Sequence, residues 1–208
     1  MREYKTVAQE AVDEFTEKKS RFIGYVKPVT TQEEATAFIN EIKARHWDAK
    51  HNVSAYVLRE NHIQRSSDDG EPSGTAGVPV LDVLMKEGVV DACVVVTRYF
   101  GGVLLGAGGL IRAYSHASKL ALEAGQIITM APCKIAGVKV DYSFYERLTR
   151  ILGEYHANIE NTDFAEQITV TFSIRETMLE ALTEELTDIS YGQISTEVIG
   201  EKFAKVSE

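Results

Sequence analysis

Residues 91–124 impose the tightest constraint on the fold. The run Asp91–Tyr99 is short and almost wholly apolar, with Ala-Cys-Val-Val-Val-Thr at 92–97. That pattern predicts a strand buried on both faces. Five glycines (Gly101, Gly102, Gly106, Gly108 and Gly109) then fall within nine residues. Beyond them, residues 109–124 carry Leu110, Ala113, Ala117, Leu120 and Ala121 at helical spacing, and Gly125 supplies a stop. A buried strand, a glycine turn and a helix in that order set a helix layer against a sheet.

The rest of the chain fits around this unit. Upstream, the patterning predicts strands near residues 2–7, 21–29 and 53–58. Helices are predicted over 32–45 and 79–87, and a long polar loop over 59–78. Thr30 and Thr31 before Glu33 and Glu34 give the first helix its N-terminal signal. Downstream of a boundary near 126–134, strands are predicted at 135–142, 158–164, 167–174 and 193–199, with helices at 145–156 and 177–188. That order is βαββαβ, the ferredoxin-like arrangement. The expected class is therefore α+β: a β/α domain over 1–130 followed by a ferredoxin-like domain over 135–208.

Charge separates the two parts. Residues 1–130 hold 15 Lys+Arg and 17 Asp+Glu, a net of −2, whereas residues 131–208 hold 7 and 14, a net of −7. The second part should repel free nucleic acid, so any RNA contact has to come from basic clusters in the first. No apolar run reaches the ~20 residues needed to span a bilayer, so no membrane contact is expected. The N-terminus carries no apolar segment of the secretory kind. With Cys93 and Cys133 as the only cysteines, reduced thiols and a cytoplasmic location are the expectation.

Four segments carry chemical potential. Arg98 ends the buried strand, the glycine turn follows, and Arg112 stands in the next helix. Glycines at 101, 102, 106, 108 and 109 allow backbone N–H groups to approach a ligand, and a helix N-terminus favours an anion. The same glycines equally suit close packing of helix on sheet. No Gly-Lys-Ser/Thr follows, so this is not a P-loop. The second segment, Ser67-Asp68-Asp69-Gly70-Glu71-Pro72-Ser73-Gly74-Thr75, groups three carboxylates in a form that matches no calcium loop. It reads as a turn whose acids cap the next helix, as a cation or acid–base site, or as a partner for Arg98 or Arg112. Ser73 and Thr75 add hydroxyls to it.

The third segment holds His46, Asp48 and His51 astride a helix end, a poor arrangement for convergence on one metal. The fourth is the basic group Lys18, Lys19 and Arg21, which with Arg45, Lys50 and neighbouring aromatic residues suits RNA or a protein partner. No nucleophile set of the Ser-His-Asp or Cys-His kind can be assembled. No cofactor and no metal are expected, and binding is favoured over catalysis.

Together, Lys19-Ser20-Arg21-Phe22-Ile23, the His46 to His51 segment, Asp68-Asp69-Gly70-Glu71-Pro72 and Arg98-Tyr99-Phe100-Gly101-Gly102 resemble the IMPACT family in its bacterial YigZ form. The resemblance covers about residues 18–115. It implies a first domain with the fold shared by domain IV of elongation factor G and the sugar and mevalonate kinases. It also implies a second domain similar to domain V of that factor. Its eukaryotic members regulate translation by binding a ribosome-associated activator of a stress kinase, and its bacterial members are suggested to bind nucleic acid or the ribosome. Trp47 stands where proline is common, and Asn52-Val53 where some bacterial members have His-Cys, which argues further against a metal. The resulting expectation is a translation-associated protein that binds RNA, the ribosome or a ribosome-bound partner through its first domain. The alternative is an enzyme holding a small phosphorylated or carboxylated ligand at the glycine turn.

Overall fold

The apolar run at 92–97 lies where its burial requires, in the middle of a sheet. The computed structural model describes residues 2–206. In chain order the first half contains β1 (Tyr4–Val7), β2 (Ala11–Glu17), β3 (Ser20–Pro28), α1 (Gln32–Arg45), β4 (His51–Leu58), β5 (Ile63–Ser67), α2 (Gly77–Glu87), β6 (Ala92–Tyr99) and α3 (Gly106–Gly125). The second half contains β7 (Ile127–Val140), α4 (Tyr142–Glu154), β8 (Asn158–Phe164), β9 (Ile168–Arg175), α5 (Leu179–Ile189) and β10 (Thr196–Val206). The chain divides into two compact units, one spanning Tyr4–Ile128 and the other running from Thr129 onward with the N-terminal residues through Glu3.

In the first unit, five strands form an antiparallel sheet in the order β2-β3-β6-β4-β5. Helices cover both faces. Strand alternation sends Phe22, Val26, Val53, Ala55, Val94 and Val96 into a core shared with α2 and α3. Ile23, Tyr25, Cys93 and Val95 point the other way, onto Phe38 and Ile42 of α1. The α1 N-terminus is a full capping box: the Glu34 amide donates to Thr31 Oγ1 at 3.1 Å, and Glu34 accepts from the Thr31 amide.

The second unit has the order β7-α4-β8-β9-α5-β10, with the antiparallel strand arrangement β10-β7-β9-β8. That is the ferredoxin-like order the patterning predicts. Ala136, Val138, Val170, Phe172, Leu148, Leu152, Leu182 and Leu186 form its core.

Two strands differ from the sequence expectation. β2 is an edge strand rich in Asp13, Glu14 and Glu17, and only Ala11 and Phe15 lean on the core. Its hairpin turn to β3 is made by Lys18 and Lys19, both at positive φ (47° and 65°). Such turns ordinarily use Asn or Gly, so nothing in the lysines advertises the hairpin. β5 occupies part of the expected loop at 59–78. It too is an edge strand, and its Ile-Gln-Arg-Ser-Ser sequence lacks an apolar alternation. Element ends also move: α3 starts at Gly106 rather than 109, β7 at Ile127 rather than 135, and β10 runs over Thr196–Val206 rather than 193–199.

Candidate functional site

One end of the first unit's sheet gathers most of the residues singled out above. The pairing register places Phe22, Arg98 and His51 side by side on β3, β6 and β4. All three face α3. Above them lies the Asp68–Glu71 loop. Glu71 accepts from Arg98 Nη1 at 2.6 Å and from the Tyr114 hydroxyl at 2.7 Å, both on Oε1. Arg98 is 5% and Glu71 9% exposed, so this is a buried ion pair. The guanidinium is also flanked by the rings of Phe22 and Phe100, at 5.4 and 5.5 Å from their centroids. Burial, with the adjacent Glu71 carboxylate, pushes the Tyr114 hydroxyl up, so it acts here as a donor.

The neighbouring carboxylates have different tasks. Asp68 accepts from the amides of Gly74, Ala76 and Gly77. It therefore holds the start of α2, as the capping alternative anticipates. Burial acts to raise its carboxyl, but those three amides outweigh it and hold it below the usual range. Asp69 turns to the opposite face of the sheet, where it accepts from Lys43 Nζ at 2.6 Å and the Asn52 amide at 2.7 Å. The Asp69 carbonyl accepts from His51 Nδ1 at 2.9 Å. Thr75 donates to the Pro72 carbonyl, and Ser73 is exposed.

The glycine turn has mixed causes. A Cβ at Gly101 would sit 2.0 Å from the Lys19 carbonyl carbon, so close packing alone requires glycine there. Lys19 thus serves the hairpin through its backbone. Gly106 opens α3 at φ 72° with nothing within 4 Å of a would-be Cβ, and Gly108 likewise faces open space. Gly102 is exposed at positive φ, and Gly109 packs on Leu105. Between this turn, the Asp68–Glu71 loop and the ends of β4 and β6 lies a cleft of about 400 Å³. Lys50, His51, Glu71, Arg98, Phe100 and Leu104 are among its walls.

Other expected partners are kept apart. Arg112 does not flank the turn opposite Arg98; it lines a separate groove with Phe15, Lys18 and His116. The cause is its place on an exposed face of α3, three residues past Gly109 and turned toward Phe15 of β2. Arg21 pairs with Glu14 across the β2–β3 hairpin. His46 lies on the α1 side, away from His51. Tyr99 donates to Asp48 at 2.9 Å, so its oxygen accepts from His46 Nδ1 at 2.9 Å, which leaves Nε2 to accept from the Tyr25 hydroxyl at 2.6 Å. Burial, aided by Arg45, holds this imidazole below its ordinary range, with Asp48 acting the other way. Among the described residues no three His, Cys, Asp or Glu side chains converge as a metal site.

Sequence reading missed Ser20 and Tyr114. Ser20 accepts from the Gly101 amide at 3.1 Å, and its place inside a basic cluster concealed it. Tyr114 lies four residues after Leu110 and three before Ala117, an inward position on α3 that marks it as buried. It missed as well the apolar rim of the cleft, where Phe100 is 50% and Leu104 82% exposed.

These features define the class: an Impact N-terminal domain, whose family model matches residues 18–122, followed by a domain of unknown function (DUF1949) matched over 138–193. The chain belongs to the IMPACT family. It is similar to IMPACT family member YvyE of Bacillus subtilis, 41% identical over 191 residues covering 91% of this chain and 88% of that protein. IMPACT family member YigZ of Escherichia coli is 33% identical over 187 residues, covering 88% and 92%. A crystal structure described as that of a hypothetical protein is 31% identical, with a TM-score of 0.60 over 96% of this chain and 98% of that one.

Proposed function

We propose that this protein is a translation-associated binding protein that contacts RNA, the ribosome or a ribosome-bound partner through the first unit, at the glycine turn and the cleft beneath it. The supporting observation is the apolar rim. Phe100, Val103 and Leu104 are 50%, 41% and 82% exposed within one five-residue stretch before α3, beside a floor where Glu71 and Arg98 are paired. Apolar groups held out in this way, around a rigid polar base, mark recognition surfaces. Lys50 and the start of α3 add positive potential at the same place. Family membership and the net negative second unit agree with a contact made by the first.

Because Arg98, Asp68 and Glu71 hold the fold, the variant that tests this reading is Leu104→Glu. Purified protein is sedimented with ribosomes and with separated subunits at two salt concentrations. Stoichiometric association that Leu104→Glu abolishes without changing the melting temperature is the expected result. Absence of association at low salt refutes the reading. A cleft of this size also admits a small molecule, which supports the alternative of an enzyme holding a small phosphorylated or carboxylated ligand at the glycine turn.

A further inference from the structure

The three helices of the first unit begin differently. α1 has its capping box, and the first amides of α2 are held by Asp68. α3, the longest at 20 residues, begins after Leu105 with no side-chain cap and no acidic residue in its first turn. Its first amides therefore stand with partial positive charge and no side-chain acceptor. At Gly106 and Gly108 the backbone faces open space, and Gly106 and Ala107 line the cleft.

A second observation comes from the opposite wall. His51 is 7% exposed and lines the same cleft. Its Nδ1 donates to the Asp69 carbonyl, which leaves Nε2 as the free nitrogen, 3.8 Å from Glu71 Oε2 and beyond hydrogen-bond reach. Arg98 lines the cleft too, and its buried Nε has no partner. Glu71 adds no net negative charge, because Arg98 neutralises it and Tyr114 donates to it. Lys50 stands exposed at the rim.

From this geometry we infer that the cleft binds a phosphate monoester. The phosphoryl group sits against the open end of α3, between Lys50 and His51, and an apolar or planar body rests on Phe100 and Leu104. The inference names the ligand of the cleft used in the proposed function, and it rests on reading that cleft as the recognition site. Helix amides, an ammonium and an imidazole approach from three directions, which suits a tetrahedral group better than a planar carboxylate. Hydrogen-bond complementarity points the same way. A phosphate monoester with one P–OH can donate to His51 Nε2 while its other oxygens accept from the α3 amides and Lys50, whereas a carboxylate offers no donor.

The test uses the full chain with inorganic phosphate and phenyl phosphate as probes, followed by ³¹P NMR titration and thermal shift at constant ionic strength. Saturable binding is expected, tighter for phenyl phosphate. Ala107→Asp places a carboxylate at the exposed second residue of α3, where it competes for the same amides. It is expected to weaken both probes about tenfold or more, a change of roughly 1.4 kcal/mol, while the unliganded protein melts no lower because the charge favours the helix dipole. Leu104→Ser is expected to remove the preference for phenyl phosphate and leave inorganic phosphate unchanged. No saturation up to about 10 mM, weaker than any useful affinity, or unchanged binding in Ala107→Asp, overturns the inference. Phosphate binding without ribosome association removes the translation reading alone, and ribosome association without phosphate binding removes this inference alone.

Discussion

The Glu71–Arg98 pair permits a quantitative test of how the site is held. Both side chains are nearly sealed from solvent, and their contact is 2.6 Å. Arg98→Met keeps an apolar chain between Phe22 and Phe100 but leaves Glu71 charged and buried, with only the Tyr114 hydroxyl as a close donor. Removing one member of a buried pair costs about 3–5 kcal/mol, because the remaining charge is neither solvated nor compensated. Hydrogen exchange of peptides from β6 is a suitable measure, since it isolates the first unit. The single tryptophan, Trp47, is 84% exposed and reports poorly on burial. At 1.36 kcal/mol per decade, the slowest β6 amides should exchange about two to four decades faster. Adding Glu71→Gln to Arg98→Met should recover most of that loss, since the uncompensated charge is gone. Exchange in the single variant within about threefold of wild type, or no recovery in the double variant, would refute the reasoning.

Two further predictions follow from the same unit. The His46 imidazole is held below its ordinary value, so the unfolded chain takes up a proton before the native one does. Its contribution is complete above pH ~6.5 and declines as pH falls from there through the lower native value; calorimetric melting from pH ~8 to ~5 should show that slope, and His46→Phe should remove its part of it. Gly101→Ala drives a methyl group against the Lys19 backbone, and the resulting overpacking of about 1–3 kcal/mol should lower the melting temperature; an unchanged melt would mean that the β2–β3 turn yields freely.

The fold was legible where burial leaves a period. β6, α1, α3, β7, α4, β9 and α5 declare themselves by apolar runs or spacing, whereas β8, placed correctly from its bounding turns, is exposed along nearly its whole length. β2 and β5 do not, because an edge strand buries at most one face and needs few apolar residues. The site was half legible. Glu71 and Arg98 stand in segments whose composition invited attention, and their pairing was one of the alternatives. The division of labour among Asp68, Asp69 and Glu71 was not legible, because it depends on which face of the sheet the loop crosses at each residue. The separation of Arg112 from Arg98 has the same origin: position along α3, not closeness in sequence, decides the groove a residue lines.

The loop that carries Asp69 and Glu71 straddles the end of the sheet. Asp69 engages Lys43 and Asn52 on one side, and Glu71, two residues later, engages Arg98 and Tyr114 on the other. The spacing therefore works as a fixed gauge, as wide as the sheet is thick. A substitution there can be absorbed locally, but a change in length cannot. One residue added or lost between 69 and 71 would unseat an anchor on each side at once. The rim at Phe100, Val103 and Leu104 can change without moving this interval, which sets the floor beneath it.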